Sequence, residues 1–199
     1  MSRTANNGSN VRAELLDAAI DLLRSKGTTG ATARAICSRV GVGPPALYHH
    51  YGNLERLHHA AVAAAFEQVV ACYEPAARAG GPLRSLRTSW SMLMRFTREN
   101  PKMFGLVNQQ VVQGKMPAGT RRAFHQLVSD LTELSTTEEL RYDPLTMAKI
   151  LWSGGMGAAG FIAGESLAGR DEPALAEAML ETLLASLVTG KTMPSGMDG

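Results

Sequence analysis

Glycine, proline and asparagine residues interrupt this sequence at intervals that leave only helix-sized pieces between them. The first piece, residues 11–26, has the apolar spacing of an amphipathic helix, with Leu15, Ala19 and Leu22 on one face. The later breaks are Gly27, Gly41, Gly52-Asn53, Gly80-Gly81-Pro82, Asn100-Pro101, 114–119, Asp143-Pro144 and 169–173. No piece has a convincing strand pattern. The sequence therefore predicts an all-α fold of about nine helices.

The same breaks suggest how the chain is divided. Residues 1–10 are polar and predict a flexible N-terminal arm, and residues 191–199 predict a flexible tail. Between them, the three short helical pieces of residues 11–53 predict one domain, and the longer pieces of residues 54–190 predict another. Apolar residues make up 45% of the chain, which is enough to bury a sizeable core.

Positive charge is concentrated at the beginning of the chain. Residues 1–60 contain seven Lys and Arg against four Asp and Glu, whereas the whole chain carries only +2. A basic first third on a nearly neutral body is a weak indication of a polyanionic partner.

One stretch is close to the length of a membrane span. Leu145–Gly164 has Lys149 as its only charge, but it is rich in Gly and Ala, and Ser153 also interrupts it. We therefore expect a buried packing helix and no membrane partner. Because the first ten residues have no apolar core of a secretory signal, we expect a cytoplasmic protein.

Catalytic and metal-binding patterns are not found. The histidines form adjacent pairs, His49-His50 and His58-His59, rather than the i, i+4 pair of a helical zinc site. No GxSxG, P-loop, GxGxxG or HExxH motif occurs. The sequence thus predicts neither an enzyme nor a bound metal or cofactor.

Residues 32–51 have the proportions of a helix-turn-helix. One short helix is predicted over 32–40 and a second over 44–51, with Gly41-Val42-Gly43 between them. Gly41 can adopt the positive φ that a tight turn needs. The second helix could then enter the major groove of DNA, which admits an α-helix.

The residues of this region resemble the DNA-binding domain of the tetracycline-repressor (TetR) family. The resemblance covers about residues 11–57 and rests on Ala31-Thr32, Ile36-Cys37, Val40-Gly41-Val42, Leu47-Tyr48-His49-His50-Tyr51 and Asn53-Leu54-Glu55. It implies a homodimeric, ligand-responsive regulator, expected to be a repressor that leaves a pseudo-palindromic operator when a small apolar or amphipathic inducer binds. It also implies that residues 54–190 form the ligand-binding and dimerisation domain.

Family positions imply a set of DNA contacts. Tyr48 and Thr32 correspond to phosphate contacts, and Arg34 to a position where some members place a base-reading arginine. The full set of expected DNA-binding residues is Thr32, Arg34, Gly43, Pro44, Ala46, Tyr48, His49 and His50.

Two departures from the family pattern affect this expectation. The leading turn of the second helix, residues 43–46, has no side-chain donor or acceptor, so it could offer only backbone groups and apolar contact with thymine methyls. Leu54 stands where many members have a phosphate-binding lysine. The alternative hypothesis is therefore a helical small-molecule-binding protein with weak or shape-only DNA binding.

By the same resemblance, the later helices form the ligand pocket and the dimer interface. The expected ligand-binding residues are Trp90, Met94, Phe104, Asn108, His125 and Trp152. Helices of about residues 144–168 and 172–189 are expected to pair with a second subunit. The many glycines of the first of these helices suggest close backbone approach, either to that partner or around a ligand.

Overall fold

The computed structural model describes the backbone of residues 3–78, 80–164 and 172–187. These ranges contain nine helices, which confirms the predicted all-α fold. In chain order the helices are α1 (Arg3–Gly30), α2 (Ala33–Val40), α3 (Pro44–Tyr51), α4 (Leu54–Arg78), α5 (Pro82–Glu99), α6 (Pro101–Val112), α7 (Ala118–Leu134), α8 (Pro144–Ala163) and α9 (Glu172–Ala185). The predicted tail of 191–199 and the predicted ends of the last two helices lie outside the described residues.

The helices belong to two compact units. The first contains the described residues of 1–68 together with 102–118, and the second contains those of 69–101 and 119–199. Helix α6 therefore belongs, apart from its first residue, to the same unit as α1, α2 and α3. These two compact units differ from the two domains predicted from the sequence, which meet after residue 53. The predicted division into a DNA-binding domain and a ligand-binding domain stays a prediction.

Helix α1 differs from the sequence prediction at both ends. It begins at Arg3, within the segment predicted as an arm, because no proline interrupts residues 3–10. Asn10 therefore lies inside the helix, and its side-chain amide donates to Glu14 Oε1 at 2.6 Å. At Gly27 the backbone has a φ of +68°, which marks the predicted break, but helical geometry resumes and continues to Gly30.

In the first unit, α1 packs against α2 and α3. Leu23, Ile36 and Leu47, one from each of these helices, are fully buried. The beginning of α6 also lies against the end of α1. Lys102 Nζ donates to the Ser25 carbonyl at 3.1 Å, and a methyl group added at Gly27 would lie 3.3 Å from Lys102 Cδ.

In the second unit, α5, α7, α8 and α9 share one apolar core. Its buried members are Leu86, Leu131, Leu134, Met147, Ala148, Leu151 and Leu187. A buried polar cluster joins α5 to α7, where Asp130 accepts hydrogen bonds from Ser85 Oγ at 2.6 Å and from Gln126 Nε2 at 2.8 Å.

Helix α7 ends at Leu134, well before the break at Asp143-Pro144 that the sequence shows. The hydroxyls of Ser135, Thr136 and Thr137 each donate to a carbonyl three residues earlier, which gives the backbone an alternative to further helical turns. Helix α8 is capped by Asp143, whose carboxylate accepts from the N–H groups of Leu145 and Thr146. Among the described helices, none has the length and apolar character that a membrane span requires.

Candidate nucleic-acid interface

The first helix of the motif, α2, begins with a side-chain cap. Thr32 has an extended backbone, and its Oγ1 accepts a hydrogen bond from the Ala35 N–H at 3.2 Å. This bond satisfies one of the N–H groups left free at the start of a helix. Both Thr32 and Arg34, two residues later, are exposed.

The turn between α2 and α3 depends on Gly41. Its backbone is left-handed, with φ +78° and ψ +26°, and the N–H groups of Gly41 and Val42 both reach the Cys37 carbonyl. A residue with a Cβ would strain this turn. The Leu47 N–H is hydrogen-bonded to the Cys37 thiol, but burial dominates and raises the pKa of that thiol. The two helices are thus joined both by apolar packing and through the cysteine.

Helix α3 begins with the proline pair Pro44-Pro45. Proline has no N–H, and this suits the first turn of a helix because N–H groups there have no partner within the helix. Gly43, Pro44 and Pro45 are exposed and carry no side-chain hydrogen-bonding group, as the sequence predicted. The Ala46 N–H already bonds to the Gly43 carbonyl at 3.0 Å. The leading turn therefore presents mainly an apolar surface.

The polar residues of α3 lie further along the helix. Tyr48 is 51% exposed, His49 is exposed and His50 is half-buried. The rings of His49 and His50 meet edge to face, with centroids 5.0 Å apart. Among the expected DNA contacts, Thr32, Arg34, Tyr48 and His49 are thus accessible on two adjacent helices, whereas Ala46 and His50 are partly covered.

Tyr51 has a supporting role in this region. Its hydroxyl donates to the Arg12 carbonyl at 2.7 Å, and the Arg12 guanidinium lies 5.5 Å from its ring centroid. Burial raises the pKa of Tyr51 although the nearby Arg12 opposes that shift. The residue therefore joins the end of α3 to α1, which agrees with a packing role rather than a DNA contact.

Two further contacts hold the motif, and neither was predicted from the sequence. His58 Nε2 lies 2.7 Å from the Ala31 carbonyl, and Asn53 Oδ1 accepts from the Arg56 N–H at 2.8 Å. The second contact is a helix cap that an Asn before a helix could have indicated. The first joins residues 27 positions apart and has no local signal.

The expected ligand-binding residues are distributed over both units. Trp90 and Met94 are buried on α5, and the half-buried Trp152 of α8 meets Phe124 edge to face at 5.5 Å. His125, expected as a polar anchor, is exposed on α7. Phe104 and Asn108 lie on α6, in the first unit. A ligand-binding role for these six residues stays a prediction.

Metal coordination has no candidate in the part of the chain that the structure describes. No three His, Cys, Asp or Glu side chains there lie close enough together to hold an ion.

Comparison with known proteins identifies the N-terminal region. Residues 15–61 match the family model of bacterial regulatory proteins, tetR family. This range contains all of α2 and α3 and every expected DNA contact. No curated protein matches the chain.

Solved structures share the fold over most of the chain. A TetR-family transcriptional regulator from Pectobacterium atrosepticum has a TM-score of 0.75 and 21% identity, over 94% of this chain and 98% of that one. FadR from Bacillus subtilis, solved in complex with stearoyl-CoA, has a TM-score of 0.70 and 16% identity, over 88% and 98% of the two chains. A TetR transcription regulator from Haloarcula marismortui has a TM-score of 0.70 and 16% identity, over 90% and 99%.

At such low sequence identities, the similarity to these structures shows only the fold. The family match of residues 15–61 shows in addition which kind of helix-turn-helix the chain contains. Residues 15–61 therefore match the tetR family of bacterial regulatory proteins, and the chain as a whole shares the all-α fold of solved TetR-family regulators.

Proposed function

We propose that the protein is a homodimeric DNA-binding transcriptional regulator, a repressor that a small molecule releases from a pseudo-palindromic operator. The observation that carries the proposal is the exposure of Thr32, Arg34, Tyr48 and His49 on the two helices that the Gly41 turn holds together. Their chemistry suits a phosphate backbone and base edges.

The proposed DNA contacts divide into positioning and reading. The Tyr48 hydroxyl and the start of α2 at Thr32 donate to phosphate oxygens, which fixes orientation without reading sequence. Arg34 reads guanine through its paired N–H groups, and the exposed Pro44 and Pro45 meet thymine methyls. Much of the specificity then depends on Arg34, His49 and the shape of the DNA.

The glycines of α8 differ in how closely other parts of their own chain approach them, and this supports a dimer interface on one face of the helix. A methyl group added at Gly154 would lie 2.6 Å from Leu183 Cδ1 of α9, and one at Gly155 would lie 3.4 Å from Trp90 Cζ3 of α5. The exposed Gly157 and Gly160, by contrast, have no such neighbour within 4 Å among the described residues. Phe161, beside them, is 44% exposed.

This open face of α8, Gly157, Gly160 and Phe161, allows a partner helix to approach closely, and we assign it to the dimer interface. The sequence pattern also suggests Leu175, Met179, Leu183 and Leu187, in or just after α9, for this interface. Leu187, however, is buried in its own unit, and Leu183 lies against Gly154. Leu175, which is 48% exposed, is the better candidate on that helix.

Ligand response requires that the inducer bind two conformations with different affinity. Trp90, Met94 and Trp152 of the second unit are the proposed lining. The stearoyl-CoA complex of FadR supports a ligand role for a helical body of this fold. Within the first unit, the contact of Lys102 and Ser25 gives α6 a means of moving α1, and with it α2 and α3.

The experiment that tests this proposal is fluorescence anisotropy of the purified protein with the DNA flanking its own gene, at two salt concentrations. Arg34→Ala should weaken binding to the selected site by roughly five- to 150-fold, the value of one good base contact. Arg121→Ala is the matched control, since Arg121 is exposed on α7 in the other unit. Equal loss in both variants, or equal affinity for random DNA, would contradict specific reading by Arg34.

The apolar turn at residues 43–46 and the half-buried Leu54 favour the alternative function, a helical small-molecule-binding protein with weak or shape-only DNA binding. The same titration separates the two. A steep fall of affinity with salt supports DNA binding through phosphates, whereas a shallow one supports the alternative.

A further inference from the structure

Trp90 carries a buried donor that has no partner among the described residues. Its side chain lies on α5 in the second unit with 8% of the residue exposed, and no hydrogen-bonding group reaches its Nε1. An indole N–H can only donate. A hydrogen-bond partner of Trp90 Nε1 must therefore be an acceptor with a free lone pair.

The orientation of the Trp90 ring is fixed by α8. A Cβ added at Gly155 would lie 3.4 Å from Trp90 Cζ3 and 3.6 Å from Trp90 Cε3. Both atoms belong to the six-membered ring, on the side away from Nε1. That edge packs against a helix backbone with no side chain in between. Nε1 is on the opposite edge of the indole from these two atoms, so it is not the part of the ring nearest to Gly155.

Thr97 repeats the pattern seven residues later on the same face of α5. It is fully buried, and its Oγ1 has no partner among the described residues. Exposed helical threonines elsewhere behave differently, since Thr132 and Thr182 donate to the carbonyl four residues earlier. Thr120 of α7, at 1% exposure, also has an unpaired hydroxyl. Among its described residues, the unit thus holds three buried polar groups without a hydrogen-bond partner.

Charge narrows the class of molecule that could satisfy them. Every described Lys and Arg side chain of the second unit is exposed, and so is His125. The one buried ionisable side chain described there is the acid Asp130, which already accepts from Ser85 and Gln126. A buried carboxylate or phosphate would lack a counter-charge, which makes its burial unfavourable.

We propose that the second unit binds an uncharged, mainly apolar small molecule whose carbonyl-type oxygen accepts a hydrogen bond from Trp90 Nε1, with Thr97 as a second polar contact. This inference rests on the proposed ligand-binding function and specifies its ligand class. It differs from an anionic ligand such as an acyl-CoA, whose phosphates need cations.

The test uses acetophenone, ethylbenzene and benzoate, which share a ring but present a carbonyl, no acceptor and an anion. The full-length protein, without DNA, is titrated while its indole signals are followed in a nitrogen–proton correlation spectrum. The chain has two tryptophans, so Trp152→Phe assigns the Trp90 signal. Acetophenone should move that proton downfield and bind about tenfold more tightly than ethylbenzene.

Trp90→Phe should abolish this preference, and Arg98→Ala, at an exposed position on the same helix, should keep it. With two tryptophans, either Trp90→Phe or Trp152→Phe assigns the Trp90 signal of the wild-type protein, so one poorly folded variant leaves the test intact. Tightest binding of benzoate, equal binding of ethylbenzene, or no movement of the Trp90 proton would overturn the inference. The titration contains no DNA, so its result does not depend on operator binding. Failure of the ligand-class inference and failure of the proposed DNA-binding function can therefore be told apart.

Discussion

His58 Nε2 lies 2.7 Å from the carbonyl oxygen of Ala31, and thereby joins α4 to the residue that precedes the Thr32 cap. A carbonyl can only accept, so Nε2 carries the proton. Both residues belong to the first unit. One side chain of α4 therefore helps to fix where α2 begins, and with it the proposed phosphate contact at Thr32.

We expect His58→Leu to lower the free energy of unfolding by about 1–2 kcal/mol, because the Ala31 carbonyl loses its partner. DNA affinity should fall as well, although His58 touches no DNA in the proposed complex. Urea unfolding and anisotropy measure the two effects. His59→Leu is the control, since His59 Nε2 lies 3.8 Å from an exposed Glu55. Equal effects of the two substitutions would refute the positioning role of His58.

Two tyrosines of α3 should respond in opposite ways to loss of the hydroxyl. Tyr48→Phe should weaken DNA binding with little effect on stability, because the exposed hydroxyl is proposed to meet a phosphate. The slope of affinity against salt should stay unchanged, since a neutral hydroxyl releases no counterion. Tyr51→Phe should instead lower stability by about 1 kcal/mol, because its bond to the Arg12 carbonyl is lost. Anisotropy and urea unfolding of both variants decide the matter. A Tyr48→Phe variant with unchanged affinity would remove this residue from the proposed interface.

Gly157→Glu should convert the dimer to a monomer without unfolding the subunit. A side chain there meets nothing in its own chain among the described residues, but the added charge would enter the proposed interface. Gly105→Glu on α6 is the matched control, because Gly105 is also helical, exposed and open. Sedimentation velocity measures the mass. A dimeric Gly157→Glu variant would place the interface elsewhere.

Stability at low pH should depend in part on Asp143. The Thr146 hydroxyl and the N–H groups of Thr146 and Leu145 lower the pKa of its carboxyl. Because the folded pKa lies below the unfolded one, this stabilisation is complete above the ordinary aspartate range and is lost as the pH falls through the lowered pKa. Asp143→Ala should therefore lower the Tm at pH 7, and the difference from wild type should narrow in acid.

Thermal unfolding of Asp143→Ala, followed from pH 7 into the acidic range, measures this effect. Glu138→Ala, which removes an exposed acid outside a helix cap, should leave the Tm nearly unchanged. A pH-independent difference between Asp143→Ala and wild type would show that charge is not involved.

Local features of the chain could be predicted because they depend on neighbouring residues. Gly27, Gly41 and Gly52 all have positive φ values, and each was identified as a break from the sequence. The apolar periodicity of the intervening pieces then predicted the helices. In the glycine-rich helix, Gly154 and Gly155 lie close to side chains of the same chain, whereas the predicted approach to a partner or a ligand stays a prediction.

Contacts between distant residues could not be predicted in this way. Periodicity shows that a helix has a buried face but not which helix covers it, so Leu187 was assigned to a partner subunit although it is buried in its own unit. The bond of His58 to a backbone carbonyl has no recognisable pattern, because every residue has such a carbonyl. The same applies to the unpaired Trp90 donor, which only the three-dimensional packing reveals.

The proline pair at the start of α3 has a consequence for the entropy of binding. Pro44 and Pro45 have fixed φ angles, so this turn has few alternative conformations even in the unfolded chain. Its ordering is therefore completed during folding, and little remains to be lost when the proposed reading helix meets DNA. The proline pair lacks side-chain groups for polar base contacts, but its conformation is already restricted before the proposed binding to DNA.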